Sequence, residues 1–264
     1  MPLADLGDFE LYYREHGAGE PVLGIMGFAS DHRLWAAQIP AIAQTHKFVV
    51  FDNRGIGKST GTAVGTIDEM ADDTVRLMDH LQIEKCVVFG VSMGGAIAQR
   101  VILDHPDRVS ALILGITFAR PIEFMRRQHD LTRVILSSGG EEALIHGALL
   151  RMFTPKFFEV GRELIDKIVE VSLGGDSPPA SVDDALAQLD ALDKHDVLAE
   201  LPKISVPTLV LGARNDQMVP GFGSEEIAEA IPGAELHMFE TGHGCMIEEM
   251  EPFNRAVSGF LARL

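Results

Sequence analysis

Residues 85–98, KCVVFGVSMGGAIA, decide the fold. The apolar run from Lys85 to Val91 has the length of a buried strand. Met93 to Asp104 has the length and periodicity of a helix, with Gly94, Gly95, Ala96 and Ala98 near its start. Ser92 falls in the turn between them, with Gly90 and Gly94 two residues away on either side, a G-x-S-x-G elbow. A side chain in so sharp a turn adopts a strained backbone conformation, tolerable only if those neighbours carry no bulk. The strain lifts the hydroxyl clear of the sheet and sets it at a helix N-terminus, where the dipole and free N–H groups favour developing negative charge.

A serine hydroxyl is a weak nucleophile at neutral pH unless a histidine takes its proton and a carboxylate orients that histidine. Downstream, Val206 to Leu211 reads as a buried strand running into Gly212, Ala213, Arg214, Asn215 and Asp216. The next strand, Glu235 to Glu240, runs into Thr241, Gly242, His243 and Gly244. Ser92, Asp216 and His243 therefore each follow the C-terminal end of a strand, the edge at which open α/β sheets gather their chemistry. Glu240, Asp190, Asp193 and Asp196 compete with Asp216 for the role of the acid. The other histidines, among them His80, His105 and His195, read as surface or helix-end residues.

The chain alternates strand and helix. Strands are expected at Phe9–Arg14, Pro21–Met26, Lys47–Asp52 and Val109–Ile116, with helices at His32–Gln44 and Thr66–Leu81 and a last helix at Pro252–Leu264. This βαβ rhythm predicts a mostly parallel central sheet with helices on both faces. From Phe118 to about Asp196 the strands stop and the sequence is helical, interrupted at Ser137–Gly140 and Gly174–Pro179. The expected organisation is a core of residues 1–117 and 197–264 with a helical cap, 118–196, inserted over the edge that carries Ser92.

With the elbow, the late aspartate and the late histidine in this order, the chain resembles the α/β-hydrolase family over nearly its whole length. Gly27, Phe28, Ala29 and Ser30, after the second strand, look like that family's oxyanion loop. The resemblance gives the oxyanion donors as the backbone N–H groups of Phe28 and Met93. The turn Asp52-Asn53-Arg54-Gly55-Ile56-Gly57-Lys58-Ser59 is similar to the family's D-x-R-G-x-G-x-S turn, whose role is structural. Met26 departs from the pattern, since many members carry histidine before the glycine, so the bracing of the oxyanion loop must differ. Serine at the elbow is unlike relatives that open epoxides or displace halide with aspartate. Gly244 is unlike the large aromatic residue typical of members that cleave carbon–carbon bonds. The Ser-Met-Gly-Gly elbow and the stretch from Ala191 to Pro207 look most like carboxylesterases and 3-oxoadipate enol-lactonases.

Composition sets the bounds. A chain of 264 residues can bury one large α/β core, and its 46% hydrophobic content with no internal repeat argues against disorder or a solenoid. The net charge of −17 opposes binding to nucleic acid or anionic lipid, leaving a small molecule as the expected partner. Neither an acidic n-terminal stretch (MPLADLGDFELYY) nor any long uncharged apolar run suggests a secretory signal or a membrane span. Two cysteines, Cys86 and Cys245, make a disulfide framework improbable and a reducing cytoplasm the expected location. No metal-ligand motif is present, and no cofactor is expected.

Phe118, Met125, Phe153 and Phe157 of the expected cap are candidate pocket walls, with Trp35, Met218, Val219 and Met246 near the reactive loops. Met152, Phe158 and the side chains of Phe28 and Met93 belong to the same group. Arg120, Arg126, Arg127 and Arg151 are candidates for contact with a substrate carboxylate, against the alternative of a solvated helix face. The function expected is hydrolysis of a small ester or lactone through an acyl-enzyme. A carbon–carbon hydrolase or thioesterase would use the same three residues, and a receptor of this fold would keep them while turning over slowly. Oligomeric state is left open.

Overall fold

The computed structural model describes residues 2–138, 140–174, 177–178 and 180–264. Its strands are β1 (Leu3–Asp5), β2 (Glu10–His16), β3 (Pro21–Ile25), β4 (Lys47–Phe51), β5 (Cys86–Val91), β6 (Val109–Gly115), β7 (Thr208–Ala213) and β8 (Glu235–Phe239). They form one sheet in the order β1-β2-β4-β3-β5-β6-β7-β8, antiparallel only where β2 meets β1 and β4. The sequence expectation missed β1, a three-residue edge strand too short to carry a period.

Strand β5 is buried at all six positions, because both sheet faces are covered. Its alternate residues feed two cores: Cys86 and Val88 pack on one side, and Val87, Phe89 and Val91 pack on the other with Trp35, Phe48 and Phe253. Helices α2 (Ile67–His80) and α3 (Met93–Asp104) cover the first face. Helix α2 starts where the Thr66 hydroxyl oxygen accepts the Glu69 N–H, an N-cap, and the same hydroxyl donates to the Glu69 carboxylate. The second face is covered by α1 (Ile39–Ile42) and by the late helix Met250–Leu261, whose apolar side holds Phe253, Val257 and Phe260.

The expected helix over His32–Gln44 is broken. A 3₁₀ turn spans His32–Ala37, and α1 begins anew at Ile39 with Pro40 in its first turn. Proline has no N–H to donate back to residue 36, so a continuous helix through Gln38 would lose a bond and clash.

Among the described residues five α-helices lie between β6 and β7: α4 (Glu123–Ser138), α5 (Gly140–Met152), α6 (Pro155–Val160), α7 (Arg162–Gly174) and α8 (Val182–Lys194). The first expected interruption falls between α4 and α5, with Gly139 itself outside the described residues. Of the second, Gly175, Asp176 and Pro179 lie outside them. After β7 come α9 (Phe222–Ala230), α10 (Cys245–Glu248) and α11 (Met250–Leu261). Among the described residues no helix is long and apolar enough to cross a membrane.

Candidate active site

Ser92 sits between β5 and α3 with φ 56° and ψ −121°, a conformation that costs a residue with a side chain on the order of 1–3 kcal/mol. Two glycines make it possible. A Cβ on Gly90 would lie 2.1 Å from the Gly94 carbonyl oxygen, and one on Gly94 would lie 2.1 Å from that of Ile25 and 2.8 Å from that of Met26. The elbow is therefore pressed against the end of β3 as well as folded on itself. Its backbone is pinned by Ser92 N–H to Gly115 O (2.9 Å) and by the Thr117 hydroxyl to Ser92 O (2.7 Å).

Asp216 and His243 reach Ser92 because β7 and β8 are parallel neighbours whose following loops are tied together. Arg214 N–H donates to Phe239 O (2.9 Å) and Asn215 N–H to Thr241 O (3.0 Å). His243 Nδ1 lies 2.7 Å from Asp216 Oδ2, and its Nε2 lies 3.0 Å from Ser92 Oγ. With Nδ1–H donating to the carboxylate, Nε2 is left as acceptor for the serine hydroxyl. The other carboxylate oxygen, Oδ1, accepts the N–H groups of Met218 (2.7 Å) and Val219 (2.8 Å), so Asp216 is fully held in an enclosed site. The competing acids are elsewhere. Glu240 is exposed and pairs with Arg214 (3.0 Å), Asp190 and Asp193 pair with Arg133, and Asp196 is exposed.

The loop after β3 packs on the elbow: a Cβ on Gly27 would lie 3.0 Å from Ser92 Cβ. Among the described residues neither Phe28 N–H nor Met93 N–H donates to a protein acceptor. The different bracing that Met26 demanded comes from two residues the sequence did not single out in this role. Asn53 Nδ2 donates to Met26 O (3.4 Å), and Gln188 Oε1 on α8 accepts the N–H of Ala29 (2.8 Å), itself at φ 50°. The sequence carries one sign of Gln188, an amide set in the apolar stripe of Ala185, Leu189 and Leu192, and the structure buries it fully. Beside this loop Asp31, His32 and Asp52 bring their ligand atoms within 4.8 Å of one another. Their oxygens are already engaged: Asp52 by His32 and by Lys58 N–H, Asp31 by the Arg33 guanidinium.

Helix α5 closes on the histidine loop. Gly244 N–H donates to Met152 O (2.8 Å), and Glu248 accepts the N–H groups of Gly242 (3.3 Å) and Thr154 (3.2 Å). Glu248 is a further residue the sequence did not reveal. Cys245, next to this loop, is wholly buried and its thiol is pushed well above its ordinary pKa by burial, so it stays a neutral packing group.

Ser92 and His243 open into a cavity of about 310 Å³ between the strand ends and helices α4, α5, α7 and α8. Phe118, Met125, Met218, Val219 and Met246 line it, as do Phe28 and Met152. Five expected wall residues do not: Trp35, Met93, Phe153, Phe157 and Phe158, of which Met93 is fully buried in the core at the start of α3 and Phe158 packs on the small cluster around Phe153. Trp35 is fully buried on the far core face, edge-on to Phe48 and Phe89, and Phe153 stacks on Phe157 in a small cluster behind the histidine loop. Each is large and apolar enough for a wall, but strand and helix packing used it first. His195 is at a helix end, as the sequence reading has it, but it is not on the surface. It caps α8 and is buried edge-on to Phe118, and burial together with the Arg100 charge lowers its pKa to about 4.

Similarity to known proteins agrees with this geometry. A family model described as alpha/beta hydrolase fold matches residues 20–249. A protein of Azorhizobium caulinodans, named RutD for an inferred carbamate hydrolase activity, is 31% identical over all of this chain and 99% of its own length. The enol-lactonase of Burkholderia xenovorans LB400 superposes with a TM-score of 0.91 at 27% identity, covering 99% of this chain and 100% of that one. A thermophilic esterase of Thermogutta terrifontis superposes at 0.87 with 29% identity, over 98% and 96% of the two chains. From the strand order, the elbow and these likenesses together, the chain belongs to the α/β-hydrolase fold family and is a hydrolase of that type.

Proposed function

We propose that this protein is a serine hydrolase that cleaves small carboxylic esters or lactones through an acyl-enzyme on Ser92. The observation that carries the reading is the unbroken line from Asp216 Oδ2 to His243 Nδ1 (2.7 Å) and from His243 Nε2 to Ser92 Oγ (3.0 Å). In this reading Ser92 Oγ attacks the carbonyl carbon as His243 Nε2 takes its proton. Asp216 keeps the imidazole in the useful tautomer and stabilises the imidazolium without itself being protonated. The carbonyl oxygen, now an oxyanion, faces the N–H groups of Phe28 and Met93; one such donor is worth about 10²–10³ in kcat. His243 returns its proton to the leaving alkoxide, then deprotonates the water that releases the acid and restores Ser92. Helices α4–α8 act as a cap that shapes the acyl and leaving-group space. No step calls on a cofactor.

The likeness to RutD supports a second reading, in which the same machinery attacks a carbamate carbonyl. Nitrogen donation makes that carbonyl less electrophilic, so the two readings separate by rate. Steady-state turnover of an aryl acetate, an alkyl ester, a lactone, an aryl carbamate, a thioester and a ring-fission diketone, with Ser92→Ala as control, tests them. Many turnovers on ester or lactone, lost in the variant, are expected. Faster turnover of the carbamate would move the assignment to carbamates, whereas one acylation per chain with no turnover would point to a receptor.

A further inference from the structure

Two histidines line the cavity among the described residues, and each meets a carboxylate through Nδ1: His243 meets Asp216 (2.7 Å) and His129 meets Asp193 (2.6 Å). The first pair serves Ser92 in the proposed reaction. The second has no part in it, yet it is built in the same way. Asp193 Oδ1 faces the ring while Oδ2 accepts from Arg133 Nη2 (2.8 Å), so both carboxylate oxygens are engaged. Burial alone would raise the Asp193 pKa, but the hydrogen bonds from His129 and Arg133 outweigh it and hold the group below the ordinary carboxylate range. An ionised carboxylate can only accept, so His129 Nδ1 carries the proton. In the neutral ring Nε2 is then left with a lone pair.

That lone pair faces the cavity. His129 lines it and Asp193 does not, so the ring turns its Nδ1 edge to α8 and its opposite edge to the open space. The side chain is 12% exposed, and among the described residues Nε2 has no hydrogen-bond partner. Neighbouring polar groups on the same helix are spent. Thr132 donates its hydroxyl to Gln128 O (2.9 Å), and Gln128 accepts from Arg151 through Oε1 (3.1 Å) and donates through Nε2 to Gln217 O (2.5 Å). The last of these bonds lands beside Asp216 and sets this turn of α4 over the strand ends. Nor is the histidine needed to tie α4 to α8. Arg133 bridges Asp190 and Asp193 (2.8 Å to each), and Arg126 donates to Asp193 O (3.0 Å). A residue that only filled the wall could be apolar, as Met125, Leu189 and Leu192 are around it.

On the reading of the site as an esterase or lactonase, we propose that His129 Nε2 accepts a hydrogen bond from a hydroxyl on the substrate, so that the preferred substrates are esters or lactones carrying a free hydroxyl away from the scissile carbonyl. The chemistry of the acceptor makes the choice. An ionised carboxylate, a ketone or an ether has no proton to give it, whereas a hydroxyl donates one and rotates to suit. In a largely apolar cavity the discrimination comes from what is left unpaired: a substrate without a donor displaces water from Nε2 and returns no bond.

The test compares aryl esters of β-hydroxybutyrate, ω-hydroxyhexanoate and ω-hydroxyoctanoate, and hydroxyalkyl butyrates with the hydroxyl on the leaving group, each with its methyl ether. The ether keeps the oxygen and loses the donor. Assays are run at about pH 8, above the ordinary imidazole range. Wild-type protein should favour the hydroxyl in kcat/KM at one or more positions by about three- to tenfold, the size of one neutral hydrogen bond, expressed in KM. His129→Leu should bring that ratio to within about twofold of one. Asp193→Asn, which frees the ring to carry its proton on Nε2, should lower the ratio, because an N–H bonds an ether as readily as a hydroxyl. Arg127→Gln, at an exposed pair with Glu123 on the same helix, should leave the ratio intact. Melting temperatures establish that each variant is folded. No hydroxyl preference at any position, or a preference that survives His129→Leu, would overturn the assignment. Equilibrium binding of the same pairs to Ser92→Ala reads the preference without turnover. A protein that hydrolyses no ester but binds hydroxyl-bearing ligands through His129 would thus fail the esterase reading alone, and one that hydrolyses esters without the preference would fail this one alone.

Discussion

The strand ends and the inserted helices solve different problems. At the strand ends, Ser92, Asp216 and His243 hang from buried parallel strands, and every polar atom that fixes them has a partner within about one hydrogen-bond length. Helices α4–α7 bury little. Phe124, Leu131, Val134, Leu150 and Val160 are all about half exposed or more; among the described residues Met125 and Leu136 reach the main core, and Leu149 and Ile165 form a small core with Phe153. The two regions meet through a few specific bonds: Gln188 to Ala29, Met152 to Gly244, Glu248 to Thr154 and Gln128 to the loop before Met218. A reacting centre must be held to a fraction of an ångström, whereas a substrate wall needs only shape and a few anchoring groups. The difference in packing matches that division.

The largest expected effect strikes the strand-end region. Asp216→Asn should lower kcat by about 10³–10⁴-fold with the fold intact, because the amide stabilises the wrong histidine tautomer. Glu240→Gln, at an exposed pair with Arg214, should change kcat little. Steady-state kinetics of both variants on one aryl ester checks this, and the opposite ranking would assign the acid elsewhere.

Next in size is a stability effect at the elbow. In Gly94→Ala the new Cβ would fall 2.1 Å from the Ile25 carbonyl oxygen, a backbone atom of the central sheet that cannot yield cheaply. A loss of more than about 3 kcal/mol is expected from chemical denaturation. Retention of wild-type stability would mean that β3 and the elbow are not in this contact.

What the sequence disclosed follows the same division. The elbow was legible because its logic is local: a serine in a strained turn needs Gly90 and Gly94, and both lie within two residues of it. Asp216 and His243 were legible because each follows an apolar run that ends abruptly. Trp35, Phe153 and Phe157 misled because size and hydrophobicity are shared by cavity walls and by the core, and only tertiary packing separates them. Gln188 and Glu248 act across 159 and 94 residues of chain, a separation at which a single sequence carries no pairing signal. The break at Pro40 was readable and was overridden by the apolar period around it.

A smaller effect belongs to the junction of the two regions. His195 is neutral and buried in the folded protein, with a pKa of about 4 against an ordinary value near 6.5. Between those values the unfolded chain binds a proton that the folded chain refuses, so stability is full above about pH 6.5 and falls as the pH drops toward 4. The contribution is on the order of 3 kcal/mol. His195→Leu also removes the buried Nε2 that lacks a partner, so it should flatten the decline between those pH values and cost little at pH 7. Denaturation curves at several pH values for both proteins check it; parallel curves would place the acid sensitivity in other groups.

The smallest effect sets a helix glycine against the elbow glycine. A Cβ on Gly147, within α5, would meet only Ile135 Cδ1 at 3.6 Å, an ordinary contact. Gly147→Ala should therefore stabilise the protein by about 0.5–1 kcal/mol through helix propensity. Destabilisation would mean that α4 and α5 pack more tightly than the exposed apolar residues of this region suggest.

The central claim is that the strand-end geometry makes Ser92 an activated nucleophile, and covalent trapping tests it most directly. Wild-type protein, His243→Ala and Ser92→Ala would be treated with a small fluorophosphonate, and adduct formation followed by intact mass and by the modified peptide. The account predicts one adduct per chain on Ser92. Its rate should fall by about 10³-fold or more in His243→Ala, where no base accepts the hydroxyl proton, and no adduct should form in Ser92→Ala. Failure of Ser92 to react in folded protein that admits the probe, or equal labelling rates with and without His243, would contradict it.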